Sequence, residues 1–278
     1  MYLARFTFTS RKPRHDDAAG AVAFFARRLR CNGQILAERP VVTTKTGFDC
    51  YVQVPERTSL ALRNANPDVR YGLAWLHALG VSRPKVQILG RVAGASPPDR
   101  CRAPSSYILF THFKTEDSPV VCGDCFLSVP LYRLPTEPAR KYIFDCSGAR
   151  IAHWKGPSHD FSTLIAWQED YGLCDSLYMR SGVGERFGLN QTTALSSSVT
   201  KDGRYAAESL EWRLKKRVYY FLNHNSGTSL ARELKRRCPS CGGRWRLKEP
   251  LFDRFDFRCV RCRLVSNVKW GLREAANK

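Results

Sequence analysis

The 278 residues predict an α+β chain: a mixed α/β body on the N-terminal side, a helical middle section and a small C-terminal β unit. Three observations carry this reading. Strand-like and helix-like patterns interleave before residue 145, two long helical patterns fill residues 160–214, and after residue 226 apolar positions alternate with basic ones between two Cys-x-x-Cys pairs. The division predicted is a body over residues 1–225 and a separate unit over 226–278.

The first element is a strand over residues 2–9, with Tyr2, Ala4, Phe6 and Phe8 on one face. A helix follows from Asp16 or Asp17, which can cap it. Ala21, Phe24, Phe25 and Leu29 recur at helical spacing until Asn32-Gly33 stops it. Residues 41–54 are rich in β-branched side chains and read as one or two strands broken at Gly47. A helix over residues 68–79 places Tyr71, Trp75 and Leu79 one turn apart on its inner face. Residues 85–92 and 107–113 read as strands, with a loop at Ser96-Pro97-Pro98-Asp99 between them. Helices are predicted over 160–178, with Gly172 a candidate kink, and over 198–214, with Tyr205, Leu210 and Leu214 facing inward across an unfavourable Gly203. Val218 to Leu222 is a short strand, and Asn223-His224-Asn225-Ser226-Gly227 is the turn that sets the boundary.

Cys238-Pro239-Ser240-Cys241 and Cys259-Val260-Arg261-Cys262 enclose 17 residues, the spacing of a tetrahedral four-thiolate site. Cys238, Cys241, Cys259 and Cys262 are therefore the predicted ligands of one structural Zn2+, with iron in a rubredoxin-like centre as the rival. Four thiolates close the coordination sphere, so the predicted site is a staple and not a reaction centre. This makes the C-terminal unit a β zinc ribbon. Within it, Arg244-Trp245-Arg246-Leu247-Lys248 buries Trp245 and Leu247 if extended and turns Arg244, Arg246 and Lys248 to the other face. Trp245, Phe255, Phe257 and Trp270 are the expected ribbon core.

Charge points to the partner class. The chain carries +20, and from Arg232 to Lys278 fourteen basic residues face five acidic ones, a net +9. Such clustering fits a polyanion, DNA or RNA, held by Arg244, Arg246, Lys248, Arg258, Arg261, Arg263 and Lys269 through phosphate contacts. A ribbon docked on a protein or ribonucleoprotein partner is the second reading. A membrane partner is excluded, because the longest apolar run, residues 18–26, is far below the roughly 20 residues a spanning helix needs. The N-terminus lacks the plan of a signal peptide, and eleven cysteines, an odd number, argue for metal ligands and free thiols in a reducing cytoplasm.

Cys122-Gly123-Asp124-Cys125 has the form of half a metal site, with Cys174, Cys146, His112, His153 and His159 as residues that could complete it. Cys122, Cys125 and Cys174 thus mark a second metal or thiol site, with free thiols and redox chemistry as the other readings. An enzyme with its pocket there is the third functional hypothesis, behind the non-enzymatic ones. Asp160 beside His159 reads as a helix cap and not as a catalytic pair. Cys31, Cys50 and Cys101 read as isolated core or loop thiols.

Cys238-Pro239-x-Cys241-Gly242-x-x-Trp245-x-Leu247 with Phe255-Asp256-Phe257-x-Cys259-x-x-Cys262-Arg263-Leu264-x-Ser266-Asn267 resembles the C-terminal motif of an uncharacterised bacterial family described as zinc-ribbon-containing and nucleic-acid-binding. Upstream, Cys122-Gly123-Asp124-Cys125, Val129-Pro130-Leu131-Tyr132-x-Leu134-Pro135, Cys174-Asp175-x-Leu177 and Tyr219-Tyr220-x-Leu222 resemble its central motifs. The resemblance implies the zinc site at Cys238, Cys241, Cys259 and Cys262.

Overall fold

The computed structural model describes residues 1–11, 16–94, 101, 103–113, 116–136, 143–144, 150–151 and 160–272. Cys146, His153, His159 and the Ser96-Pro97-Pro98-Asp99 loop lie outside these. Two compact units emerge: residues 1–99 with 116–118 and 127–162, and residues 100–115 with 119–126 and 163–278. Helices and sheets mix in both, as the α+β reading expects.

In the first unit β1 (Tyr2–Thr9) is followed by α1 (Asp16–Cys31), β2 (Ala37–Glu38), β3 (Val42–Thr43), β4 (Gly47–Val54), α2 (Pro67–Ala78) and β5 (Lys85–Arg91). The strands form one sheet in the order β2-β4-β1-β5, with β3 on β4; β1 runs antiparallel to both neighbours. Alternation in β1 works as read: Ala4, Phe6 and Phe8 are buried against Val22, Phe25 and Leu29 of α1. The outer face of β1 carries Arg5, ion-paired with Asp49 at 2.5 Å.

The inner face of α2 differs from the expectation. Its buried residues are Val69, Gly72 and Leu76, while Tyr71 is 64 % and Trp75 36 % exposed. Gly72 is the reason: a Cβ there would stand 3.2 Å from the Phe25 ring, so the helices meet at their smallest side chain. The larger rings pack outside, with Phe24 edge-on to Trp75 at 4.8 Å. Asn66 caps the helix by accepting from the Val69 N–H at 2.9 Å.

In the second unit β6 (Ser106–Leu109) and β7 (Val120–Cys122) come first. A short hairpin, β8 (Ile143–Phe144) with β9 (Arg150–Ile151), belongs to the first unit. Then come α3 (Ser162–Arg180), α4 (Glu185–Thr193), α5 (Ser198–Leu214), β10 (Arg217–Leu222), the single turn α6 (Leu230–Glu233), β11 (Arg246–Leu251), β12 (Phe255–Cys259) and β13 (Leu264–Ser266). Asp160 opens α3 as a cap, accepting from the Ser162 N–H at 3.1 Å and its hydroxyl at 2.7 Å. Gly172 lies within α3 without ending it.

Six strands make the sheet of this unit, in the order β11-β12-β13-β10-β6-β7. β10 pairs parallel with both β6 and β13, so the short strand before the predicted boundary is the centre of the sheet. The sheet therefore runs on from β10 into the three strands of the cysteine unit. Tyr219 and Phe221 join Phe255 and Val265 in one apolar layer. On the other face Tyr220 meets Trp167 of α3, and α5 closes over both. A Cβ at Gly203 would lie 2.2 Å from Tyr220 Cε2 and 2.4 Å from Trp167 Nε1, so the glycine that weakens α5 as a helix is what lets it seat. Tyr205, expected inward, is 37 % exposed.

Candidate metal centre

Cys238, Cys241, Cys259 and Cys262 come together with all four sulfurs within 4.8 Å of one another. Each pair is held by a tight turn. The Gly242 N–H donates to the Cys238 carbonyl at 2.8 Å and the Cys238 N–H to the Gly243 carbonyl at 2.9 Å. Gly242 follows its cysteine at φ +70° and Arg263 occupies the same place at φ +53°, the left-handed region that glycine enters without steric cost. Arg263 is fixed there: its Nε–H donates to Glu211 Oε2 at 2.7 Å, and its carbonyl accepts from the Tyr220 N–H at 2.8 Å. The second turn is thereby bonded to the central strand.

The geometry suits a tetrahedral soft-metal site. Ligands about 2.3 Å from a central ion stand about 3.8 Å apart, and Cys241 Sγ lies 3.7 Å from Cys259 Sγ. Burial pushes the Cys259 thiol up to about 12. Hydrogen bonding, above all with the Gly243 backbone, pulls Cys241 down to about 7. Metal binding must then displace protons, Cys259's above all.

Around the site the ribbon core forms as alternation predicts, with two departures. Trp245 is buried and stacks on Phe257 at 5.0 Å, while its Nε1–H donates to the Arg236 carbonyl at 3.1 Å. Asp256 is buried between its phenylalanines, accepting from the Val268 N–H at 2.7 Å. Trp270 is 55 % exposed, because β13 ends at Ser266 and the chain leaves the sheet before reaching it. Asn267 explains the end of the motif: it accepts from the His224 N–H and donates to the His224 carbonyl, both at 2.9 Å, tying the strand end to the turn after β10.

The predicted cationic residues fall into two groups. Arg244, Arg246, Lys248 and Arg261 are exposed. Arg258, Arg263 and Lys269 are half-buried. Arg258 lies over the Tyr219 ring at 5.9 Å, Arg263 is paired with Glu211, and Lys269 donates to the Gly227 carbonyl at 3.4 Å.

A second cluster contains Cys101, Cys122 and Cys125, their sulfurs also within 4.8 Å. Cys101, read as an isolated thiol, replaces Cys174 of the expected set. Cys174 sits in α3, where Gly188 of α4 comes so near that a Cβ would lie 2.3 Å from the Cys174 carbonyl oxygen, and neither it nor His112 is in the cluster. A lone cysteine 21 positions before the pair gave no spacing to read. Both cysteine clusters could hold a metal ion. Cys31 and Cys50 contrast with them: burial pushes these single thiols up to about 12 and about 11, as small core side chains.

Fold and site together define an α+β protein whose C-terminal β unit is gathered around four cysteines. Three family models match it, described as Domain of unknown function (DUF8589) over residues 1–90, Domain of unknown function (DUF2310) over residues 101–155 and 146–223, and Domain of unknown function (DUF8594) over residues 227–272. An uncharacterized protein of Haemophilus influenzae is 33 % identical over 278 residues, covering 98 % of this chain and 99 % of its own. Another from the same organism is 33 % identical over 199 residues, covering 71 % of this chain and 89 % of its own. The chain belongs to the family of these uncharacterised bacterial proteins. No solved structure matches it. No helix among the described residues is long and apolar enough to cross a membrane.

Proposed function

We propose that the protein is a non-enzymatic zinc-ribbon protein that binds nucleic acid through the basic surface of its C-terminal unit. The observation that carries this is the stripe of exposed Arg244, Arg246 and Lys248 above buried Trp245 and half-buried Leu247. Arg246 and Lys248 stand on β11 with Arg244 just ahead of it, and cations at every second residue match the repeat of a phosphate backbone better than a scattered surface charge would. Zinc is the metal the four thiolates favour, since soft ligands in a closed tetrahedron suit it and the sulfur spacing agrees.

A neighbouring cleft of ≈ 820 Å³ supports the same reading. It is walled by α5 and the two cysteine turns and lined by Lys201, Arg204, Arg261 and Arg263 against Glu208 and Glu211, with Trp212 63 % exposed at its side. Lys215 Nζ lies 4.5 Å over the Trp212 ring, and cations together with an exposed indole are what a single strand needs, one for phosphates and one for stacking.

Fluorescence anisotropy with single-stranded DNA, duplex DNA and RNA tests the proposal. Affinity should fall linearly with salt on logarithmic axes, and replacing Arg244, Arg246 and Lys248 together by Glu should lower the slope by about 3. Trp212→Ala should weaken single-strand binding by about 1–3 kcal/mol and spare duplex. No binding to any polynucleotide at low salt would overturn the proposal, and copurifying proteins that survive nuclease treatment would favour docking on a protein partner instead.

A further inference from the structure

We infer that Cys101, Cys122 and Cys125 form a second metal centre, a site for a zinc-type soft divalent cation distinct from the ribbon. The Cys122–Cys125 turn repeats the ribbon's turns in three respects. Phe126, directly after the second cysteine, has φ +60°, beside +70° for Gly242 and +53° for Arg263. The Phe126 N–H donates to the Cys122 carbonyl at 2.9 Å, as Gly242 does to Cys238 at 2.8 Å. In each turn an amide aims at the first cysteine's sulfur at 3.4 Å, the Asp124 N–H two residues after Cys122 and the Cys262 N–H three residues after Cys259. An amide aimed at sulfur stabilises a thiolate, the form that binds metal.

The turn is also held against a conformational penalty. A bulky aromatic at positive φ is sterically disfavoured and persists only where its surroundings impose it. Here Phe126 is locked between Phe110 at 5.3 Å, Phe255 at 5.5 Å and Phe252, stacked at 5.1 Å.

The third ligand is delivered by hydrogen bonds between the two segments. The Ser105 N–H donates to Asp124 Oδ2 at 2.7 Å, the Ser105 hydroxyl to Asp124 Oδ1, and the Gly123 N–H to the Ser106 carbonyl at 2.8 Å. A Cβ at Gly123 would stand 2.2 Å from Ser106 Oγ, so only glycine admits this approach. Cys101 Sγ then lies 3.6 Å from Cys125 Sγ, too far for a disulfide and close to the ligand separation of about 3.8 Å in a tetrahedral zinc–thiolate site. Cys101 and Cys125 are half-exposed, unlike packing thiols such as Cys31 and Cys50. Cys122 ends β7 opposite Tyr107 on β6, and Cys259 ends β12 opposite Leu264 on β13. Since β6 and β13 run parallel to β10 on either side of it, the two clusters lie at the same end of the sheet, flanking its central strand.

Native mass spectrometry of the full chain, loaded with zinc under reducing conditions, decides it. Two ions per chain are expected, with one remaining in Cys101→Ser, one in Cys238→Ser and two in Cys174→Ser. Loss of the ribbon ion alone is thereby separable from loss of the second. One ion in the wild type, unchanged by Cys101→Ser, would overturn the inference. A measurement on the unmutated chain guards against misfolded variants: Cys101 and Cys125 should resist alkylation until a chelator is added. Equal alkylation before and after chelation would refute the site.

Discussion

At the residue scale, the protonation of the four ribbon cysteines ties the site to pH. In the metal-free chain Cys259, raised to about 12 by burial, holds its proton through neutrality, whereas Cys241, near 7, is partly ionised there. Metal must expel the protons of Cys259 and of Cys238, which burial also raises, through neutrality, and that of Cys241 as well below about 7. Zinc affinity should therefore fall at least ~100-fold per pH unit on acidification, and more steeply below neutrality. Competition with a chromogenic chelator across about pH 8 to 5.5 measures this; affinity flat over that range would mean the thiols do not carry these protons. The four-cysteine cluster was legible from spacing alone, because two turns of fixed length around a fixed loop leave few alternatives. The place of Cys101 in the second cluster was not, since a cysteine brought in by the hydrogen bonds of Ser105 and Ser106 to a distant turn leaves no local pattern.

At the scale of elements, α5 shows how far periodicity reaches. Its span, Ser198–Leu214, follows from pattern and the Ser197 cap, which accepts from the Thr200 N–H at 3.2 Å. Leu210 is buried as the pattern predicts, but Tyr205 is not, because the rest of that face is set by where Tyr220 and Trp167 leave room. Gly203→Ala should add about 1 kcal/mol of helix propensity, yet force a Cβ into two rings and so destabilise the protein by about 1–3 kcal/mol net. Urea unfolding should show a lower midpoint with an unchanged slope; a raised midpoint would mean the rings yield freely. α2 teaches the same at Gly72: Tyr71 and Trp75 have helical spacing, but the glycine between them decides which stripe meets α1.

At the scale of the whole molecule, the cysteine unit is continuous with the sheet beside it, since β13 pairs along β10. Removing metal with a chelator should then speed amide exchange at Phe221, in the centre strand, as well as in β12 and β13, while β1 and β4 of the first unit keep their protection. Exchange changes confined to residues after 226 would show a ribbon that opens alone. The sequence by itself determined what local chemistry can encode: the α+β class, most element spans, the four-cysteine cluster and the basic face of Arg244, Arg246 and Lys248. Only the tertiary structure decided which strand lies beside β13, which helix faces are covered, that Arg263 is taken by Glu211, and that Cys101 joins Cys122 and Cys125. Those choices depend on which surfaces distant in sequence fit together, and no pattern within a few residues records such a fit.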